Sequence, residues 1–372
     1  MPVSDHLFAR AILLGVERYV RNVAEDLRDI HDVVKDNKGK LDELNEDQKA
    51  RAHRDERQAV LDWLTLIDYA PQQSDFINRR QTGTGQWLLD SQEFKTWVET
   101  NKQTLFCPGI PGAGKTIITS IVVEDLYTRF QNEASIGIAY LYCNFQRQQE
   151  QKPEDLLASL LKQLVQGEPS MPNSIKSLYE CHKDKRTRPS FDEISKVFLS
   201  VVTDYSKAFI IIDALDECQV SDRGRRKFLS EVFNLQAKTG ANLFATSRFI
   251  PEIEKQFQGC LYLEICASDE DVQKYLDGHM SQLPSFVIRS PDLQEEIKTE
   301  IMKAVDGMYG LTYAIITNEL TSFRFLLAQL NSLIGKRSPK ATLKKLPAGS
   351  EAYDHAYNDA MERILKSLPS RF

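Results

Sequence analysis

The apolar run Thr104-Leu-Phe-Cys107 leads straight into Gly109-Ile-Pro-Gly-Ala-Gly114-Lys115-Thr116, and an amphipathic pattern, Ile117–Phe130, follows it. The octapeptide fits G-x-x-x-x-G-K-[ST]. That spacing asks for a strand, a tight loop and a helix start, in that order. Glycines let backbone N–H groups turn inward, and the helix end adds its positive dipole, so the loop becomes a cradle for phosphate oxygens. The residues expected to line it are Gly109, Pro111, Gly112, Ala113, Gly114, Lys115 and Thr116. Lys115 would supply a point charge to β- and γ-phosphates, and the Thr116 hydroxyl would be a Mg²⁺ ligand.

The flanking texture agrees. Apolar runs at Thr104–Cys107, Ile136–Phe145, Lys207–Asp213, Ala241–Thr246 and Cys260–Ile265 alternate with helical patterns at Ile117–Phe130, Pro153–Gln166, Phe191–Tyr205 and Arg225–Lys238. Near-continuous apolar strands separated by helices predict a parallel sheet covered on both faces. Phe209-Ile-Ile-Ile212-Asp213-Ala-Leu-Asp216-Glu217 ends a buried strand in acids where such a sheet meets its ligand. Asp213 is expected to hold Mg²⁺ directly or through water, and Asp216 and Glu217 to polarise an attacking water. Asn242-Leu-Phe-Ala-Thr246-Ser247-Arg248 ends the next strand in hydroxyls and a cation. There Thr246 or Ser247 could sense the γ-phosphate, and Arg248 could neutralise its charge.

The first eighty residues differ, with 16 acidic and 13 basic side chains. Phe8, Ile12, Val16, Tyr19, Val23, Leu27, Ile30 and Val34 form one stripe, nearly continued by Leu41 and Leu44 past Asn37 and Gly39. Gln48 to Thr65 reads as a second helix. A helical hairpin folded on its own domain and a coiled coil or partner surface both suit the spacing. Asp68 to Gly85 reads as a polar connector, and Ser91 as the N-cap of a short helix to Thr100. From Ser268 onward the pattern is helical, beginning with the acidic start Ser268-Asp-Glu-Asp271 and continuing at Asp292–Asp306, Phe325–Ile334, Ser338–Leu346 and Ser350–Leu365. The expected organisation is a helical or coiled-coil segment at 1–75, a P-loop domain at 76–267 and a helical subdomain at 268–372.

Composition excludes several classes. With 47 basic and 53 acidic residues the net charge is −6, which argues against non-specific binding to nucleic acid or anionic membrane. No stretch is apolar enough to span a bilayer. Leu7 to Val16 is short, broken by Arg10, and preceded by Asp5 where a signal peptide wants positive charge. The six cysteines form no C-x-x-C pair, and Cys107, Cys143 and Cys218 read as buried hydrophobes. A reduced, cytoplasmic setting is expected.

Together the P-loop, Ile-Ile-Ile-Asp-Ala-Leu-Asp-Glu and Ala-Thr-Ser-Arg resemble the NACHT branch of the STAND signalling NTPases, with small Ala214 after the aspartate. Gly83-Thr-Gly-Gln-Trp-Leu-Leu89, the tail from Gly335-Lys-Arg-Ser-Pro-Lys340 and Ser350-Glu-Ala-Tyr-Asp-His-Ala-Tyr357 resemble the fungal NLR-like group with a nephrocystin-like nucleotide-binding region, often fused to ankyrin or WD repeats. The resemblance covers about residues 76–363. It implies an α/β fold: a RecA-like ASCE parallel sheet with the Arg248 strand between the P-loop strand and the Asp213 strand, N-terminal helices and a C-terminal all-helical subdomain. It also implies a switch between an ADP-bound closed state and an ATP-bound open, oligomeric one, with a role in non-self recognition or programmed cell death. Gly83 to Trp87 would lie near the base, although Trp87 as a core anchor is the other reading.

Two departures stand out. The family pattern passes from Asp306-Gly-Met308 directly to Phe325, so residues 309–324 read as an insertion, of the kind a retained intron leaves. The chain also stops at Phe372, where the family would continue into a winged helix and repeats. Three functions follow in order of fit: a signalling NTPase that hydrolyses ATP or GTP slowly with Mg²⁺, a truncated non-cycling nucleotide-binding adaptor acting through its N-terminal helices, and a small-molecule kinase. Self-association through the NTPase domain or the N-terminal helices is compatible with the first two.

Overall fold

The computed structural model describes residues 3–110, 113–218, 222–266, 268–280 and 285–299. The chain divides into two compact units, Met1–Asp62 and Trp63–Phe372. The first is made by one helix, α1 (Val3–Leu64). The two N-terminal helices expected from the pattern are therefore a single one, and no hairpin forms. Asn37 and Gly39 are weak helix residues, each costing on the order of 1 kcal/mol or less, and no proline separates the two patterns. Local pairs such as Lys40 Nζ to Asp36 Oδ2, 2.7 Å and one turn apart, support the helix across that point.

In the second unit the elements are α2 (Ala70–Asn78), α3 (Gln86–Asp90), α4 (Gln92–Glu99), β1 (Thr104–Pro108), α5 (Lys115–Arg129), β2 (Ile136–Tyr142), α6 (Pro153–Gly167), α7 (Asn173–Lys183), α8 (Phe191–Asp204), β3 (Lys207–Asp213), α9 (Asp222–Thr239), β4 (Asn242–Ser247), α10 (Pro251–Glu254), β5 (Leu261–Tyr262), α11 (Asp269–His279) and α12 (Ser285–Ile288). Residues 291–299 are helical as well. The strands form one parallel sheet in the order β2-β3-β4-β1-β5. β4, which carries Thr246 and ends just before Arg248, lies between β1 and β3, as the family resemblance implies.

All residues of β1 and β4 are buried, and all but the first of β2 and β3. Successive strand side chains point to opposite faces, so this continuous burial means that helices cover both faces. Trp97 of α4 anchors one of them. Its indole N–H donates to the Leu243 carbonyl at 3.0 Å, and its ring packs against Phe209 and Phe244. Asn242 ties the same helix to the sheet by donating to the Trp97 and Thr100 carbonyls while accepting from Gln103 N–H. The register sets Tyr142 opposite Asp213, Ile212 opposite Ala245 and Cys107 opposite Thr246. The carboxyl ends of β1, β3 and β4 are thereby gathered at one edge, where open α/β sheets bind ligands.

Besides the short α3, α10 and α12, two longer helices were not expected. Pro71 sits in the first turn of α2, where a missing N–H costs nothing, so the connector read from Pro71 and its polar neighbours is partly helical. Gln73 of α2 is buried, donates to the Ser120 carbonyl at 3.0 Å and accepts from the Tyr142 hydroxyl. α7 is the second. The β5 pairing is only two residues long, against six in the apolar run. Among the helical segments expected after Ser268, α11 is present with Ser268 as its N-cap, accepting from Asp271 N–H at 3.1 Å. Phe325–Ile334, Ser338–Leu346, Ser350–Leu365 and the 309–324 insertion lie outside the described residues.

α8 begins with a capping box: Ser190 Oγ accepts from Glu193 N–H, and Glu193 accepts from Ser190 N–H at 2.8 Å and from its hydroxyl at 2.7 Å. These bonds, with His182 beyond them, hold the Glu193 carboxyl down at about 2, from an ordinary 4.5. The fold favours the ionised form, so its contribution is complete above about 4.5 and is lost as pH falls through about 2. NMR titration of the Glu193 side chain should show that low midpoint, and Ser190→Ala should move it up toward 4.5. An unchanged midpoint in the variant would remove the capping box as its cause.

Candidate functional site

The loop after β1 starts at Gly109, whose N–H donates to the Ser247 carbonyl at 3.0 Å. A Cβ here would lie 2.5 Å from the Ile265 carbonyl oxygen, so glycine is required by the close backbone approach. Gly114, with φ +91°, supplies the left-handed turn into α5. Between them Ala113 N–H bonds to the Ile110 carbonyl at 3.2 Å. Pro111 and Gly112, expected in the cradle, lie outside the described residues. Lys115 opens α5 with a mostly buried side chain, and its ammonium donates to the Gly109 and Ile110 carbonyls at 2.8 and 2.9 Å. Burial lowers its pKa, opposed by the charges of Asp216 and Asp213.

Asp213 closes β3 with 1% of its surface exposed. Its Oδ2 accepts from Thr116 Oγ1 at 2.7 Å, and its Oδ1 accepts from Thr119 Oγ1 at 2.9 Å and from Thr246 Oγ1 at 2.7 Å. Burial raises its pKa, and the three hydroxyls and Lys115 oppose that rise. Thr116, Asp213 and Thr246, predicted separately, thus meet as one group. Thr119 was missed. Its one available signal was its place three residues after Thr116, on the same helix face.

Ala214 follows with φ +53°, a left-handed conformation that disfavours a Cβ. Its N–H donates to Thr246 Oγ1 at 2.8 Å, and Leu215 N–H to the Thr246 carbonyl at 2.9 Å. That turn carries the next two acids in different directions. The Asp216 side chain is 2% exposed and accepts from both the backbone N–H and the Nε of Arg248. The two are therefore ion-pair partners. Glu217 is half-buried; burial and then Asp216 raise its pKa, opposed by a hydrogen bond from the Phe145 backbone N–H and by the charge of Arg248. Ser247 Oγ is buried without a hydrogen-bond partner among the described residues.

A second junction lies beside α5. Gly85, with φ +75°, approaches it so closely that a Cβ would fall 2.6 Å from Ile121 Cδ1. Gly85 N–H and the Trp87 indole N–H both donate to Asp271 Oδ2 of α11, at 2.9 and 3.1 Å. Lys274 of the same helix donates to the Gly83 carbonyl at 3.1 Å. Trp87 is half-buried and joined to α11 rather than sunk under the sheet. The contribution of Asp271 was not legible in the sequence, since it follows Trp87 by 184 residues.

Among the described residues no cluster of three or more His, Cys, Asp or Glu side chains could hold a metal by itself. The hard oxygens of Thr116 and Asp213 nevertheless suit Mg²⁺, which binds through one or two protein oxygens, water and phosphate. No helix of the described residues is long and apolar enough to cross a membrane.

A glycine-cradled loop between strand β1 and a helix, with the central strand β4 lying between β1 and the acid-ended strand β3, defines a P-loop NTPase fold. A family profile described as Nephrocystin 3, N-terminal, matches residues 83–248, from the Gly83 loop to Arg248. Comparison with curated proteins returns no match. Among solved structures, the Aeropyrum pernix ORC2 protein in its ADPNP–ADP complexes is 12% identical, with 68% of this chain and 62% of that one covered and a TM-score of 0.42. ORC1 of the same organism in complex with DNA is 13% identical, with 83% and 72% covered and a TM-score of 0.42. Drosophila ORC bound to DNA is 14% identical, with 81% and 71% covered and a TM-score of 0.38. The chain spans less than two thirds of the ORC2 chain. The fold is read from the strand order and the loop, and these superpositions add no weight to it.

The left-handed backbone at Ala214 makes a stability prediction. Ala214→Gly should change unfolding free energy by less than about 1 kcal/mol, since relief of strain and added chain entropy oppose each other. Ala214→Val should lower it by roughly 1–2 kcal/mol, because a β-branched residue tolerates positive φ poorly. Denaturant unfolding of the three proteins measures both, and equal stability of the valine variant would contradict the strain.

Proposed function

We propose that the second unit binds a nucleoside triphosphate with Mg²⁺ and hydrolyses it slowly, as the switch of an NLR-like signalling protein. The observation that carries this reading is the 2.7 Å bond between Thr116 Oγ1 and Asp213 Oδ2 beside the Lys115 ammonium and the glycine loop. In it two hard oxygens and one cation converge on the start of α5. Thr116 and Asp213 would hold the metal, which when bound neutralises phosphate charge. Gly109, Gly114, Ala113 and the N–H groups of the loop would wrap the phosphates, and Lys115 would exchange its two carbonyl partners for phosphate oxygens. Pro111 and Gly112 belong to the same loop by sequence.

Of the two acids, Glu217 is the better proton acceptor. Its raised pKa favours taking a proton from an attacking water, whereas Asp216 already compensates Arg248. Arg248 would reach a phosphate only by leaving Asp216. That pairing supports slow turnover, and it equally supports the second reading, a module that holds nucleotide without cycling. Thr246 supports the Ala214 turn and Asp213, and the unpartnered Ser247 hydroxyl is the closer fit to a phosphate sensor.

The finer assignment, to fungal NACHT-type switches of non-self recognition or cell death in the cytoplasm, is supported by the motif resemblance and by the profile match at 83–248. The net charge of −6 supports partners other than nucleic acid.

Purified wild type should retain ATP or GTP. Lys115→Ala should weaken that binding roughly 10- to 100-fold, as expected for loss of a charge-assisted contact worth about 1.5–3 kcal/mol. Glu217→Gln should keep binding and lose phosphate release. Isothermal titration and a phosphate-release assay read the two effects. Equal nucleotide retention in wild type and Lys115→Ala would overturn the proposal. Binding without turnover in wild type would select the holding module.

A further inference from the structure

The first unit offers a surface that the P-loop site does not use. Along α1, Val20, Leu27, Val34 and Leu41 recur every seven residues, and Val16, Val23, Ile30, Asn37 and Leu44 recur every seven at an offset of three. These are the a and d positions of a coiled-coil seam, sustained for roughly 43 Å at 1.5 Å per residue. The eight apolar side chains of this seam are between 37% and 61% exposed. A helix that leaves such a stripe in water gains nothing from burial, and contiguous exposed apolar surface of this extent marks an association site.

We infer that α1 pairs with α1 of a second copy of this chain, as a parallel, in-register, two-stranded coiled coil. Asn37, at d, selects the occupant and its direction. In parallel register each seam residue meets its own counterpart, so the two Asn37 carboxamides face and can hydrogen-bond each other. In the antiparallel arrangement a meets d: Leu27 faces Ile30, and Asn37 faces Val20 twice, which leaves two amides without partners in an apolar seam. The flanking positions do not oppose the parallel register. Parallel pairing sets Asp26 against His31, Val33 against Lys38, Lys40 against Asn45 and Asp47 against Ala52, with no like charges opposed. The two chains then leave the coil at the same end. The inference is independent of nucleotide binding.

The test uses the full chain in sedimentation equilibrium, with wild type and Lys115→Ala run in parallel. Both should show twice the single-chain mass. Leu27→Glu combined with Ile30→Glu should halve it, while keeping helix content by circular dichroism, since glutamate is a good helix former. For direction, Ile30→Cys is placed in a chain whose exposed Cys181 and Cys266 are changed to serine. It should cross-link to itself roughly tenfold faster than Glu25→Cys, which lies on the outer face. A single-chain mass for wild type overturns the inference, as does a doubled mass that survives the two glutamates. A mass above two chains overturns the two-stranded state. Faster cross-linking of Ile30→Cys to Leu27→Cys than to itself overturns the parallel register. Loss of nucleotide binding in Lys115→Ala with the mass unchanged separates this surface from the P-loop site.

Discussion

The second unit depends on one buried carboxylate. Taking Asp213 out of water is costly for its charged form, and three hydroxyl donors offset that cost. The donors come from different places: Thr116 and Thr119 from α5, Thr246 from β4. Asp213 itself ends β3. A single side chain therefore fastens the helix after the P-loop to two adjacent strands, at the edge where a ligand would sit. The rest of the site is arranged around it. The Thr246 hydroxyl accepts from Ala214 N–H while donating to Asp213, and this fixes the left-handed turn that leads into Asp216 and Glu217.

That turn explains why three acids close in sequence have three different environments. Asp213 is held by hydroxyls, Asp216 by Arg248, and Glu217 is left half-buried with a raised pKa. Proximity in sequence suggested that Asp216 and Glu217 act together. The structure parts their environments: Asp216 pairs with Arg248, and Glu217 accepts from the Phe145 backbone N–H. The same logic operates at the Gly83–Trp87 loop. It meets α5 through Gly85 and α11 through Asp271, so it links the helix after the P-loop to the helices that follow the sheet.

Much of this was readable in advance because it is local. Lys207–Asp213 is a strand with the predicted bounds, and Ser91 caps α4 by accepting from Phe94 N–H as its spacing required. Errors arose where a local signal was outvoted. Asp68 to Gly85 reads as a polar connector that contains Pro71, but the first turn of a helix accepts proline, and buried Gln73 then bonds to Ser120 and Tyr142. The pattern reads as two helices with a second at Gln48 to Thr65, but nothing between them ends the first: Asn37 and Gly39 are only weak helix residues, and they do not outweigh the good helix formers on both sides.

By itself the sequence determined the strand–loop–helix around Lys115, the acids that end β3 and the hydroxyls that end β4. Each rests on a short spacing that has one physical solution. It also determined the seven-residue repeat along α1, which is a property of the chain alone. Tertiary structure decided which of these groups touch. Thr119 joins Asp213, Arg248 is committed to Asp216, and Asp271 receives Gly85 and Trp87, because parallel strands and packed helices bring together residues 32 to 186 positions apart. Burial and pairing at that range set the charge state and the freedom of each group. No periodicity or motif in a linear chain encodes them.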